Sequence, residues 1–247
     1  MTAAPHEPRL ASLAALVADA SRARMLCFLL DGECASAGEL ARAASIGPAT
    51  ASAHLARLLD AGLLACQPQG RHRYYRLADG EVAQALQALA LVAERGTHTR
   101  SWASPARSRL RFARCCYGHL AGQVGVAVLR GMLASGWLER CDERRFAVTA
   151  NGAVALTKQG LDGAAWQRRS HGAAATTAAG QAGPGVAYGC LDWSERRDHL
   201  AGPLARALLA RYLERGWLLR VPEARALRLT PGGHTALGCW LSSDTTI

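Results

Sequence analysis

No stretch of the chain approaches the roughly 18 consecutive apolar residues that mark a membrane-spanning helix, so no membrane partner is expected. The opening MTAAPHEPRL mixes polar and apolar residues and lacks the charged-then-apolar layout of a secretory signal. A cytoplasmic location is therefore expected. The eight cysteines include no CxxC pair, and in that compartment they read as reduced thiols. No Gly-rich phosphate loop, nucleophile elbow or metalloprotease motif is present, so nothing in the sequence supports an enzyme. Lysine is all but missing: Lys158 stands alone, and the net charge of +10 is carried by arginine.

What remains is a basic chain of 247 residues, half of them apolar, enough for one or two domains with a sizeable core. A surplus of positive charge invites a polyanion, and nucleic acid is the commonest one.

Residues 1–95 carry helical periodicity, with a first apolar face at Leu10, Leu13, Ala14, Leu16 and Val17. Asp19-Ala20-Ser21 offers a cap for a second helix, Arg22 to Leu30, in which Cys27 reads as a core residue. Ser36 and Glu39 stand at capping-box spacing before a short third helix. Pro48 suits the first position of a fourth helix, about Ala49 to Asp60, which Gly62 stops. The period then changes. Leu63–Cys66 and Arg73–Leu77 read as strands around the turn Pro68-Gln69-Gly70. Asp79 opens a last helix with Val82, Leu86, Leu89 and Val92/Ala93 on one stripe.

From Arg95 to Arg114 there are six arginines and no acid. Residues 96–110 are expected to be a basic linker, with Pro105 interrupting any helix, and either solvated or in contact with phosphate. A C-terminal domain, 111–247, holds an internal repeat. His119-Leu-Ala-Gly122 recurs as His199-Leu-Ala-Gly202, and Gly136-Trp-Leu138 as Gly216-Trp-Leu218, both at an offset of 80. Positions 119–140 and 199–220 share eleven identities in 22, and Val148-Thr-Ala-Asn-Gly152 is matched by Leu229-Thr-Pro-Gly-Gly233. Units 111–162 and 190–247, joined by a soft segment 163–189, are expected to pack about a pseudo-twofold, each as a helix and hairpin. The fold class is mainly α with small antiparallel β wings (α+β).

The order helix, helix, short helix, turn, helix, hairpin, helix is the winged helix-turn-helix layout, whose second turn helix enters the major groove. Here that helix supplies Thr50, Ser52, His54 and Arg57, short polar or basic groups suited to base edges, while Leu55 and Leu58 face the core. The hairpin tip Gln69-Gly70-Arg71-His72-Arg73 suits phosphate or minor-groove contact. The runs Gly38-Glu-Leu-Ala41, Thr50-Ala-Ser52-Ala-His54-Leu55, Leu58-Leu59-Asp60-Ala61-Gly62-Leu63 and Gly70-Arg-His-Arg-Tyr-Tyr75 resemble the ArsR family of bacterial repressors. Asp19-Ala-Ser-Arg-Ala-Arg24 is similar to that family's opening signature. The resemblance covers about residues 8–95. It implies a homodimer on a palindromic double-stranded operator, with helices from both ends of the domain in the dimer contact and repression relieved by an effector. The expected DNA-facing set is Thr50, Ser52, His54, Arg57, Arg71, His72, Arg73 and Tyr75. A protein-interaction module, or a regulatory domain fused to a Cys/His enzyme, is the alternative.

Two sensing sites familiar in that family are missing. The short helix before the reader offers only Cys34, and the last helix has no histidine at the needed spacing. The C-terminal region resembles the extension of a longer subgroup, through Arg114-Cys-Cys-Tyr-Gly-His-Leu-Ala-Gly122 and Cys190-Leu-Asp-Trp-Ser-Glu-Arg-Arg197. If the repeats pack symmetrically, Cys115, Cys116, His119, Cys190, Asp192 and His199 converge. Thiolate with imidazole suits zinc, another thiophilic metal or a metalloid. Cys115 and His119, four apart on a helix, would share a face. Buried filler cysteines, bracing histidines, an organic ligand and a redox change at Cys115/Cys116 remain open at this point.

Overall fold

The computed structural model describes residues 10–30, 34–69, 72–94, 104–171, 185–222 and 224–241. They fall into two compact units, Met1–Leu86 and Gln87–Ile247.

In the first unit α1 (Leu10–Val17) precedes α2 (Ala20–Leu29). The Asp19 carboxylate accepts from the Ser21 and Arg22 amides, both at 2.9 Å, and so satisfies the first turn of α2. After β1 (Ala35–Ser36), helix α3 (Ala37–Ala44) starts on a reciprocal cap. The Glu39 amide donates to Ser36 Oγ at 3.3 Å, and the Ser36 amide donates to Glu39 Oε2 at 2.8 Å. Pro48 opens α4 (Pro48–Asp60), where a missing amide costs nothing. Gly62, at φ +71°, turns the chain into β2 (Leu64–Gln69). β3 (His72–Leu77) returns antiparallel, with β1 on its other edge. Asp79 then caps α5 (Gly80–Ala93), accepting from the Glu81 and Val82 amides at 2.9 Å. Met25, Leu26, Leu40, Leu55, Leu58 and Leu77 form the buried centre of this unit.

Two details differ from expectation. Cys27 is exposed, because Met25, Leu26 and Leu29 already occupy the inward side of α2. Leu89 and Val92 on α5 are 48% and 53% exposed, while Ala83 and Gln87 are buried.

The second unit opens with α6 (Pro105–Phe112). Pro105 starts this helix instead of breaking it, since the first helical position needs no amide donor. The first repeat is β4 (Arg114–Cys116), β5 (His119–Ala121), α7 (Gly122–Ala134), β6 (Leu138–Arg140), β7 (Phe146–Val148) and α8 (Ala150–Lys158). Helix α9 (Gly163–His171) follows, so the start of the segment expected to be soft is helical. The second repeat is β8 (Tyr188–Leu191), β9 (Asp198–Ala201), α10 (Pro203–Glu214), β10 (Leu218–Arg220), β11 (Leu227–Leu229) and α11 (Pro231–Leu237). Each repeat is thus hairpin, helix, hairpin, helix. Cys115 and His119 stand on strands, not on one helix.

Matching positions do matching work. Thr149 Oγ1 accepts from the Gly152 amide at 2.9 Å, and Thr230 Oγ1 from the Gly233 amide at 3.0 Å. A Cβ on Gly152 would lie 1.9 Å from the Trp137 carbonyl oxygen, and one on Gly233 2.2 Å from that of Trp217. The recurring Thr-x-x-Gly is therefore a cap plus a close backbone approach.

The repeats are also interlocked. The Cys115 amide donates to the Arg225 carbonyl at 2.8 Å and the Leu227 amide to the Ala113 carbonyl at 2.9 Å. In return the Phe146 amide donates to the Ala187 carbonyl at 3.0 Å and the Gly189 amide to the Arg144 carbonyl at 2.7 Å. Each repeat's first hairpin is bonded to the other's second hairpin, a pseudo-twofold exchange. Met132, Leu156, Leu204, Tyr212 and Leu218 lie buried in the shared core.

Candidate nucleic-acid interface and candidate metal centre

Helix α4 buries Ala51, Leu55 and Leu58. The opposite face is left to solvent: Thr50, Ser52, Ala53, Ala56 and Arg57 are all exposed. Alanines at 53 and 56 keep this face low, so a groove wall can come close. Ser52 Oγ donates to the Pro48 carbonyl at 3.0 Å, which holds the hydroxyl along the helix. His54 is turned back from this face. Its Nδ1 lies 3.1 Å from an Arg22 guanidinium nitrogen and its Nε2 3.9 Å from Asp19 Oδ1. Arg22 itself is buried and donates to the Leu16 and Ala15 carbonyls at 2.6 and 2.9 Å. His54 therefore ties α4 to the start of α2.

The β2–β3 hairpin pairs Pro68 with Arg73 and Gln69 with His72. Arg73 is exposed on its outer part. Arg71 and the His72 side chain lie outside the described residues. Tyr75 does not belong with the DNA-facing groups. It pairs with Cys66 and Ala35 in the middle of the three-stranded sheet, and strand alternation turns its ring inward, leaving 7% exposed.

In the second unit the two first hairpins present the same pair of groups. Cys116 is the register partner of His119 on β4–β5, and Cys190 is that of His199 on β8–β9. One ligand atom from each of the four lies within 4.8 Å of every other. His119 Nε2 and His199 Nε2 face each other at 3.1 Å. Cys115 does not join them. Alternation along β4 sends it into the apolar core with Leu120 and Val124, on the opposite side from Cys116.

Asp192 stands one step back. Its Oδ2 accepts from the Gly122 amide at 2.7 Å and lies 3.2 Å from His199 Nδ1. Its Oδ1 accepts from Arg114 at 2.7 Å and from the Ser194 amide and hydroxyl at 2.9 and 2.7 Å. Arg114 and Asp192 are both fully buried, and Arg114 also lies 4.6 Å over the Trp193 ring. Burial opposes the charge on Asp192, but Arg114 and His199 outweigh it and hold the carboxyl well below its usual range. Burial likewise pulls His199 down, yet Asp192 and Cys116 lift it to about 9. Burial dominates at His119 and lowers it. A hydrogen bond to Cys190, with burial, raises the Cys116 thiol, and the same bond lowers Cys190.

Of the six groups expected to converge, the structure brings Cys116, His119, Cys190 and His199 together with Asp192 beside them and leaves Cys115 out; two neighbours, Gln87 and Arg114, were not anticipated. Gln87 is buried on α5 and donates to Cys116 Sγ at 3.1 Å. It lies off the apolar stripe expected from Val82, Leu86 and Leu89, so the pattern gave no signal for it. Arg114 was read as the last of a run of six arginines, with no sign that it is buried against Asp192.

The α3-turn-α4 pair with the β2–β3 wing defines a winged helix-turn-helix. A family model described as a helix-turn-helix domain matches residues 17–67. The uncharacterized HTH-type transcriptional regulator YdfF of Bacillus subtilis (strain 168) is 41% identical over 229 residues, covering 93% of this chain and 95% of YdfF. The HTH-type transcriptional regulator CmtR of Mycobacterium bovis is 38% identical over 86 residues, 35% of this chain and 72% of CmtR. Among solved structures, the homodimeric winged helix-turn-helix domain Mb0332 of M. bovis, a possible ArsR-family regulator, gives 26% identity and a TM-score of 0.34 over 39% of this chain and 96% of that one. The chain belongs to the ArsR family of HTH-type transcriptional regulators and is a DNA-binding regulator.

Proposed function

We propose that the chain is a homodimeric repressor that reads its double-stranded operator through Thr50, Ser52 and Arg57, with Arg71, His72 and Arg73 on the wing. The observation that carries the reading is the exposed polar face of α4, opposite a face sealed by Ala51, Leu55 and Leu58. The exposed Leu10 and Leu13 on α1, and Leu89 and Val92 on α5, supply apolar surface for a second copy. Such a protein works on DNA in the cytoplasm and needs no catalytic group. Its effector is sensed in the C-terminal domain at the Cys/His group, whose donors suit zinc, another thiophilic metal or a metalloid. Binding there favours a dimer with weaker DNA affinity, a coupling of typically about 1–3 kcal/mol.

The test is footprinting of the DNA upstream of its own gene with wild type, Arg57→Ala and Arg73→Ala. Loss of a base contact by Arg57→Ala is expected to cost about 1–3 kcal/mol. Wild-type affinity in both variants would overturn the assignment of the reading head. Adding zinc, arsenite, peroxide or EDTA to the same titration identifies the class of effector by which one releases the operator.

A further inference from the structure

We propose that Cys116, His119, Cys190 and His199 hold one divalent ion of the zinc class in a closed tetrahedral S2N2 site that clasps the two repeats together. This rests on the reading that the Cys/His group is where an effector is taken, and it selects among the ligands that reading allows.

Three observations point to this ion. The donor set is two thiols and two imidazoles, the complement that borderline divalent ions take when four-coordinate. A trivalent metalloid such as arsenite favours three sulfurs, and among the described residues only two thiols reach this point. The geometry also fits. Metal–nitrogen bonds of about 2.0–2.1 Å at a tetrahedral angle set the two nitrogens about 3.3 Å apart. The two Nε2 atoms here face one another at 3.1 Å. Two buried acceptor-capable nitrogens so close need a cation or a shared proton between them. Finally, the support expected of a metal-bound histidine is in place. Asp192 sits at His199 Nδ1 and leaves Nε2 free to ligate, and the carboxylate is itself held by Arg114 and the Gly122 amide.

The site is also symmetric in its origin. Each repeat gives one cysteine and one histidine, opposed in register on its first hairpin. Neither repeat alone has more than two ligands, so the ion is held only when both are packed. With four protein donors the site has no open position, which suits holding or sensing an ion and not catalysis. Asp192 is a positioning residue, acting through His199.

The test is cobalt(II) titration of the full-length reduced protein, followed by visible and near-ultraviolet absorption. The expected result is intense tetrahedral bands with a thiolate-to-cobalt band, saturating at one ion per chain and erased by zinc. Cys116→Ser and Cys190→Ser are expected each to weaken cobalt at least 100-fold, while Cys239→Ser, at an exposed position, changes nothing. Asp192→Asn is expected to weaken it about 10–100-fold with the sulfur band kept. Circular dichroism of each variant separates a lost ligand from a lost fold.

Weak octahedral bands in the wild type, or no uptake, would overturn the proposal without need of any variant. Displacement of cobalt by arsenite would overturn the choice of a divalent ion. A Cys116–Cys190 disulfide with no uptake after reduction would make the pair a redox couple instead. Operator titration with the zinc-loaded protein is read separately. An S2N2 site whose loading leaves operator affinity unchanged upholds this inference and overturns the sensor reading.

Discussion

Asp192 and Arg114 meet at 2.7 Å with neither side chain open to solvent. A charge in that position is tolerated because its partners are complete: guanidinium, backbone amides and a hydroxyl surround the carboxylate. Arg114→Met keeps much of the volume and removes the counter-charge. The carboxylate is then left buried, and the expected loss is about 3–5 kcal/mol. Urea unfolding of the full chain, followed on the second unit's tryptophans, measures it. A loss below about 1 kcal/mol would mean that water enters and replaces the guanidinium. At the surface the scale is smaller. Ser36→Ala removes the cap of α3 and is expected to cost about 1 kcal/mol. The Ser36 hydroxyl and amide hold the Glu39 carboxyl below its ordinary value. Its contribution is therefore full above the carboxylate's unfolded value and is lost as pH falls through the lowered folded one. Ser36→Ala should flatten that part of the stability–pH curve, and an unchanged curve would show that the cap is idle in solution.

Helix α5 is the element in which the two units meet along the chain, since the boundary after Leu86 falls within it. Gln87, the first residue past that boundary, donates to Cys116 Sγ. A thiolate bound to metal accepts such a bond more strongly than a thiol does. Gln87→Leu is expected to weaken metal binding about 10-fold or more, to leave the operator affinity of the metal-free protein within a few-fold of wild type, and to abolish any release from the operator that saturating zinc produces in the wild type. Retained release by zinc in this variant would show that coupling runs elsewhere. The elements themselves were largely legible in the sequence. Caps at Asp19, Ser36 and Pro48 and the stop at Gly62 are local chemistry, and local chemistry is written in neighbouring residues. The site was legible only in part. The offset of 80 pairs His119 with His199 but does not pair Cys116 with Cys190, because the loop between β8 and β9 is longer than that between β4 and β5. Only hairpin register makes the cysteines equivalent. Tyr75 was misread although its signal was local: strand alternation puts it on the same face as the buried Leu77, and its place in a basic hairpin hid that.

Charge is distributed unevenly over the whole molecule. Residues 1–86 hold eight of the 29 basic residues and eight of the 19 acidic ones, so the winged-helix unit is neutral and all ten surplus charges lie in 87–247. Several arginines of that second unit are committed to acids: Arg107 to Glu94, Arg111 to Glu195 and Arg114 to Asp192. On the proposed reading, attraction to the operator at contact comes from where Arg57 and Arg73 are placed, and the surplus acts at long range. The two effects separate with salt. Each phosphate neutralised at contact adds about −0.9 to the slope of log K against log salt, whereas a distant field chiefly speeds association at low salt. Arg73→Ala is expected to reduce the slope by about 1. Arg168→Glu, at an exposed position on α9, is expected to leave the slope unchanged and to slow association only at low ionic strength. Operator affinities and association rates measured across a series of salt concentrations for both variants decide the matter. If Arg168→Glu shifts the slope as much as Arg73→Ala does, the second unit itself lies on the phosphates, and the footprint must extend beyond the reading helices.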